Sequence, residues 1–163
     1  MSRPTQSPTL PAELAELLDG THVGERTDQV FELLTVSDAG WPHIALLSVG
    51  EVVTLDEDTL GLALWPTSTT SDNLRRSGRG VLQLYHDGAA YRVRLAVRAL
   101  GDEEAPGGRL ALFAAKVERV VRDAVNYARL SSGPTIELAD SERVLARWRT
   151  QLETLRRAAG GTG

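Results

Sequence analysis

The segment from Tyr91 to Ala99 limits the fold more than any other. Tyr91, Val93, Leu95, Val97 and Ala99 alternate with Arg92, Arg94, Ala96 and Arg98. A period of two belongs to a strand with one polar face, since a helix would scatter these residues around its axis. The preceding run, GVLQLYH, reaches this strand through Asp87-Gly88, a pair suited to a tight hairpin turn. The same arrangement occurs twice upstream. Val30–Val36 and His43–Val49 flank Asp38-Ala39-Gly40, and EVVT and TLGLALW flank the turn at Asp56 to Asp58. Six strands at short, regular intervals between Val30 and Leu100 predict an antiparallel barrel, because closure removes exposed sheet edges. There is no alternation of strands with long helices, which argues against a doubly wound parallel sheet. Only eight residues are aromatic (three Trp, three Tyr, two Phe), so the core is aliphatic.

Three helices are expected around the strands. In LPAELAELLDG, Leu14, Leu17 and Leu18 share a face, with Pro11 suited to the first turn and Gly20 to the stop. A short helix covers about Ser71 to Ser77. At the C-terminus, Val144, Leu145, Trp148, Leu152 and Leu155 form an apolar stripe that Asp140 or Ser141 can cap and Gly160 can end. Leu110 to Arg122 fits a strand or a helix, and periodicity alone does not choose. Residues 1–9 are rich in Pro, Ser and Thr and are expected to be disordered. Residues 10–159 form one domain, and 160–163 a flexible tail.

Composition removes several function classes. A net charge of -4, from 18 basic and 22 acidic side chains, does not suit nucleic acid as the main partner. No cysteine is present, which excludes disulfides, thiol nucleophiles and thiolate metal sites. No window approaches the roughly 18 apolar residues of a membrane span, and the N-terminus carries no signal-peptide pattern, so a cytoplasmic protein is expected. The three histidines, His22, His43 and His86, lack partners at metal-binding spacing, so no metal is expected. No nucleophile-elbow motif occurs, and no catalytic side chain is assigned.

The remaining chemistry lies in ALWPTSTTSDNLRRSGRG. Thr67 to Ser71 are all hydroxylated and stand between a strand and a helix start. Two readings are open. These residues are ordinary helix caps, or they bind a phosphate with the free N–H groups and positive dipole end of the helix. Asp72 in the first turn opposes an anion. RRSGRG, from Arg75 to Gly80, lacks the spacing of a glycine-rich phosphate loop. Arg92, Arg94 and Arg98 share one strand face, which suits either solvent or a ligand.

Taken together, these segments resemble the pyridoxamine 5'-phosphate oxidase-like, FMN-binding split-barrel family, over roughly Phe31 to Leu138. GWPHIALLSV resembles the family's second strand, and LALWPTSTTSDNLRRSGRGVLQLY its phosphate-binding turn and the strand after it. VRDAVNYARLSSGPTIELADSERVLARW resembles a C-terminal tail seen in some members, and the likeness tips Leu110 to Arg122 toward a strand. The resemblance implies a mostly β fold, a six-stranded antiparallel split barrel with flanking helices. It also implies a homodimer that binds FMN at its interface and acts on a small-molecule substrate. The cofactor-binding positions it implies are His43, Ile44, Ala45, Leu46, Ser48, Trp65, Pro66, Thr67, Ser68, Thr69, Thr70, Asn73 and Arg92. Ser68 takes the place of a phosphate-binding hydroxyl, and Ile44 to Leu47 would support the isoalloxazine. Arg92 lies where a residue of the second subunit approaches the flavin. Thr70 stands where many members carry a lysine, and His43 and Ser48 stand where the best-known members have Arg and Lys. The only lysine here is Lys116. True pyridoxamine 5'-phosphate oxidases hold substrate with a C-terminal Arg-x-His segment, whereas this chain has no histidine after His86. A flavin-dependent oxidoreductase with another substrate is therefore expected. The alternatives are a non-catalytic dimer holding flavin, haem or a deazaflavin, and a split barrel that has lost its cofactor.

Overall fold

The computed structural model describes residues 5–161. The strands are β1 (Thr5–Ser7), β2 (Val30–Val36), β3 (Pro42–Ser48), β4 (Val52–Thr54), β5 (Thr59–Leu64), β6 (Arg79–His86), β7 (Ala89–Ala105) and β8 (Gly108–Asp123). The helices are α1 (Ala12–Leu17), α2 (Thr69–Ser77) and α3 (Ser141–Gly160), with a 3-10 turn at Val23–Glu25. The strands form one antiparallel sheet in the order β3-β2-β6-β7-β8-β5-β4, and β1 pairs with β8. The sheet curls around a core that holds Phe31, Leu33, Leu82, Leu84, Val93 and Phe113.

All six strands read between Val30 and Leu100 are present, but the sheet has eight. One addition is β8, which resolves the ambiguous stretch Leu110 to Arg122 as a strand. It pairs with β7 over most of its length and with β5 along Thr59–Leu64, so every backbone group there has a ladder to join. The other is β1, whose Ser7 lies opposite Val120. The expectation of disorder over 1–9 is thus corrected from residue 5 onward, and residues 1–4 lie outside the described residues. Gly160 is the last residue of α3 rather than the start of a free tail, and 162–163 lie outside the described residues.

The turn chemistry explains the hairpins. Asp87 (φ 45) and Gly88 (φ 74) both adopt the left-handed conformation that a two-residue β-turn requires. The long C-terminal helix docks where the sheet offers no side chain. A Cβ built on Gly50 would lie 2.0 Å from Trp148 Cγ, so the indole packs directly on backbone. Trp148 is only 2 % exposed, and Leu152 and Leu155 are buried with it. Gln151 Nε2 donates to the Gly50 carbonyl at 3.0 Å, which fixes the register of α3 on the sheet. Among the described residues no helix is long and apolar enough to cross a membrane.

Candidate functional site: the turn from β5 into α2 and the free edge of β3

Asymmetry in how the hydroxyls are used defines the turn. Ser68 is the N-cap of α2: its Oγ accepts from the Ser71 N–H at 3.1 Å and donates to Ser71 Oγ at 3.0 Å. Ser71 Oγ in turn donates to the Trp65 carbonyl at 2.7 Å. These two serines therefore hold the turn closed. The hydroxyls of Thr67, Thr69 and Thr70 have no hydrogen-bond partner among the described residues, and neither do the N–H groups of Thr69 and Thr70. Thr70 is nonetheless only 3 % exposed. Two amide donors and three hydroxyls are thus left unused beside the positive end of a helix dipole, a donor set suited to an anion.

Charge is scarce at this point. Asp72 lies in the first turn, 3.2 Å from Arg75 Nη1. That same nitrogen donates to the Pro66 carbonyl at 2.8 Å, and Arg75 Nη2 lies 3.4 Å from Asp102. Arg75 is thus a brace across the turn rather than a free cation. Arg76 is bound to the Val36 carbonyl and lies 4.0 Å from Asp38. Behind the turn, Asn73 Nδ2 donates to Thr35 Oγ1 at 3.0 Å in a buried contact, and Thr35 lies opposite His43 on β3. His43 and Asn73 are therefore brought to one end of the barrel through Thr35.

Ser48 lies at the other end of β3, about 17 Å away at the rise of an extended strand. Its N–H and its hydroxyl both donate to Glu51 Oε2, at 2.7 and 2.8 Å. Burial pushes the Glu51 carboxyl above its ordinary range, opposed by the two Ser48 bonds and the nearby Arg147 charge. Sequence reading missed this pairing, although Ser48-x-x-Glu51 has the spacing of a capping box. Between the ends of β3, Ala45 and Leu47 face the barrel interior with Phe31 and Leu33. Ile44 and Leu46 face outward and are 57 % and 58 % exposed. Trp41 (75 %) and Val36 (49 %) extend this apolar surface on the sheet's terminal strand pair.

The ladder carries that outward row across the sheet, from Leu46 to Glu32, Gln83 and Arg92. Tyr85 OH and Gln83 Nε2 donate to Glu32 Oε2 at 2.6 and 2.8 Å. Burial and the Glu32 hydrogen bond hold the Tyr85 phenol above its usual pKa. Arg92 is paired with Asp123. It is separated from the hydroxylated turn and shares its face with Leu46 instead. Trp65 is 46 % exposed, and its ring lies 3.2 Å from where a Cβ on Gly108 would be.

The chain is 40 % identical over 147 residues to the uncharacterized protein YclD of Bacillus subtilis, covering 88 % of this chain and 94 % of that one. Among solved structures, a candidate pyridoxamine 5'-phosphate oxidase of Lactobacillus delbrueckii superposes with a TM-score of 0.54 at 17 % identity, covering 73 % of this chain and 98 % of its own. HupZ of Group A Streptococcus gives 0.54 at 16 % identity, covering 78 % and 100 %. The chain belongs to one family with YclD, and its fold is that of the pyridoxamine 5'-phosphate oxidase-like split barrels. No protein-family model matches it.

Proposed function

We propose that the protein binds FMN as a homodimer and works as a flavin-dependent oxidoreductase. The observation that carries this reading is the unused donor set at the start of α2. The Thr69 and Thr70 N–H groups and the hydroxyls of Thr67, Thr69 and Thr70 lie within four consecutive residues, where a strand hands over to a helix. A phosphate fits such a set without a lysine, through neutral donors and the helix dipole. Thr67, Thr69 and Thr70 would hold the phosphate, and the Ser68–Ser71–Trp65 bonds would hold the turn in shape. The outward face of β3, with Ile44 and Leu46, would support the ring system. When bound, the flavin supplies hydride or electron transfer, and the chain supplies orientation and exclusion of water.

The apolar surface of Trp41, Ile44, Leu46 and Val36 supports a second copy as the cover of this site. It lies on the end of an open sheet, where symmetric pairing of two copies would bury both patches at once. The missing C-terminal histidine argues against pyridoxamine phosphate as substrate. A second reading, a dimer that holds a flavin, haem or deazaflavin without turnover, draws support from the braced Arg75 and the lack of any free cation in the turn. Mass spectrometry of the small molecule released from protein purified without added cofactor tests both readings. FMN together with turnover of a reduced nicotinamide followed photometrically supports the first, and FMN without turnover supports the second. Another planar cofactor supports the second. No retained ligand, together with no quenching of FMN fluorescence on titration, overturns both.

A further inference from the structure

A separate cavity of about 540 Å³ lies between the first turns of α3 and the tip of the β7–β8 hairpin. Arg143 and Arg147 line it from consecutive turns of one helix face, about 6 Å apart along the axis. Pro106 and Gly107 form the opposite wall, and a Cβ on Gly107 would lie 3.1 Å from Arg147 Cδ, so the arginine stem rests on the hairpin tip. Arg147 is half-buried where it lines the cavity and Arg143 is exposed there; Arg147 Nε itself is sealed from solvent without a hydrogen-bond partner, and the Arg143 side chain has no ion pair, among the described residues. A buried guanidinium N–H left unpaired is unfavourable, and so is rarely left without an acceptor.

The acidic groups nearby do not fill this role. Asp140 lines the cavity, but its Oδ1 accepts the Arg143 N–H at 3.2 Å as the N-cap of α3. Glu51 feels the Arg147 charge, but its Oε2 takes both donors of Ser48. Thr150 Oγ1 is bound to the Ala146 carbonyl. Two arginines against one aspartate leave the cavity with a net positive lining. We infer that this cavity is an oxyanion site, in which Arg143 and Arg147 take a phosphate monoester or carboxylate group by paired N–H donation. It is built from other residues than the turn at the start of α2, and it does not rest on the flavin reading.

The probe is inorganic phosphate, titrated into the full chain at constant ionic strength, with the Arg Nε–H resonances followed by NMR. We expect a saturable shift of the Arg147 Nε–H signal. Arg143→Gln, an exposed change that leaves the helix intact, should weaken the apparent affinity at least tenfold. Arg149→Gln, elsewhere on the same helix, should leave it unchanged. A parallel titration with acetate tells the two ligand sources apart, since a response to either anion supports the site and the stronger one names the group. No shift with either anion overturns the inference. So does equal weakening by Arg149→Gln, which would mean only diffuse charge. Because the Arg147 signal is local, phosphate binding at the α2 turn does not imitate it, and FMN binding can fail or succeed independently.

Discussion

Thr70→Val and Ser68→Ala separate the two explanations of the hydroxylated turn, because the structure gives the two hydroxyls different partners. Thr70 is 3 % exposed, and its hydroxyl has no hydrogen-bond partner among the described residues. Valine has nearly the same shape, so the change removes the hydroxyl and little else. In the protein without ligand, losing a hydroxyl that bonds no protein group is close to neutral. If that hydroxyl holds a phosphate, the lost bond to a charged group costs about 1.5–3 kcal/mol, a roughly 10- to 150-fold weaker Kd for FMN. Ser68 is the opposite case. Its Oγ accepts the Ser71 N–H at 3.1 Å, so Ser68→Ala removes an N-cap. That costs ~1 kcal/mol of stability, or a melting temperature lower by roughly 2–4 °C for a domain of this size.

The assay is a pair of measurements on each variant: thermal melting without FMN, and titration of apo-protein followed by quenching of flavin fluorescence. Thr70→Val should lose affinity and keep its melting temperature. Ser68→Ala should lose melting temperature and only as much affinity as the loosened turn dictates. Either reversal refutes the argument. If Thr70→Val melts lower than Ser68→Ala, the threonine is structural. If Ser68→Ala weakens FMN more than Thr70→Val, the cap is not what the serine is for.

Three further outcomes follow from other parts of the molecule. Gly50→Ala places a methyl 2.0 Å from Trp148 Cγ, and such overpacking against the buried indole should cost about 1–3 kcal/mol, read as a lower urea midpoint at unchanged slope. Ile44→Arg with Leu46→Glu, both more than half exposed, should convert the proposed dimer to a monomer in light scattering without loss of fold, and a dimer mass in the double variant would exclude this face as the interface. Burial raises the Glu51 carboxyl above its ordinary 4.5, so the stability it contributes is present below that pH and is lost as pH rises through the raised value. Glu51→Gln removes this dependence, so the variant should gain on the wild type in urea midpoint as pH rises above 4.5; a constant difference would contradict the buried assignment.

The strands were legible because their signals are local. Alternation and turn residues lie next to each other in the chain, as at Tyr91 to Ala99 and Asp87-Gly88. β8 was not decided by its own residues, because both its faces are partly buried and its apolar positions fit two periods. Its neighbours β5 and β7 decide it, by offering ladders along both edges. β1 was missed for the same reason in a stronger form: Thr5–Ser7 has no apolar pattern and is a strand only because β8 has a free edge to pair with. The Asn73–Thr35 bond and the Arg147 cavity each join residues from different elements, and nothing in the linear order marks them, whereas the Ser48–Glu51 bonds follow a capping-box spacing that the chain does carry.

The hydroxylated run itself shows how far local reasoning reaches. A helix start needs one side-chain acceptor at its N-cap, and here Ser68 supplies it to the Ser71 N–H. Ser71 adds the bond that ties the helix back to the Trp65 carbonyl. Two hydroxyls therefore satisfy everything the fold requires of this turn, yet five occur in succession. The surplus is all threonine, at 67, 69 and 70, and it lies beside the two N–H groups that the cap leaves unpaired. Capping and the proposed anion binding are thus not rival readings of one stretch. They divide it by position, with the serines spent on the helix and the threonine hydroxyls left without protein partners among the described residues.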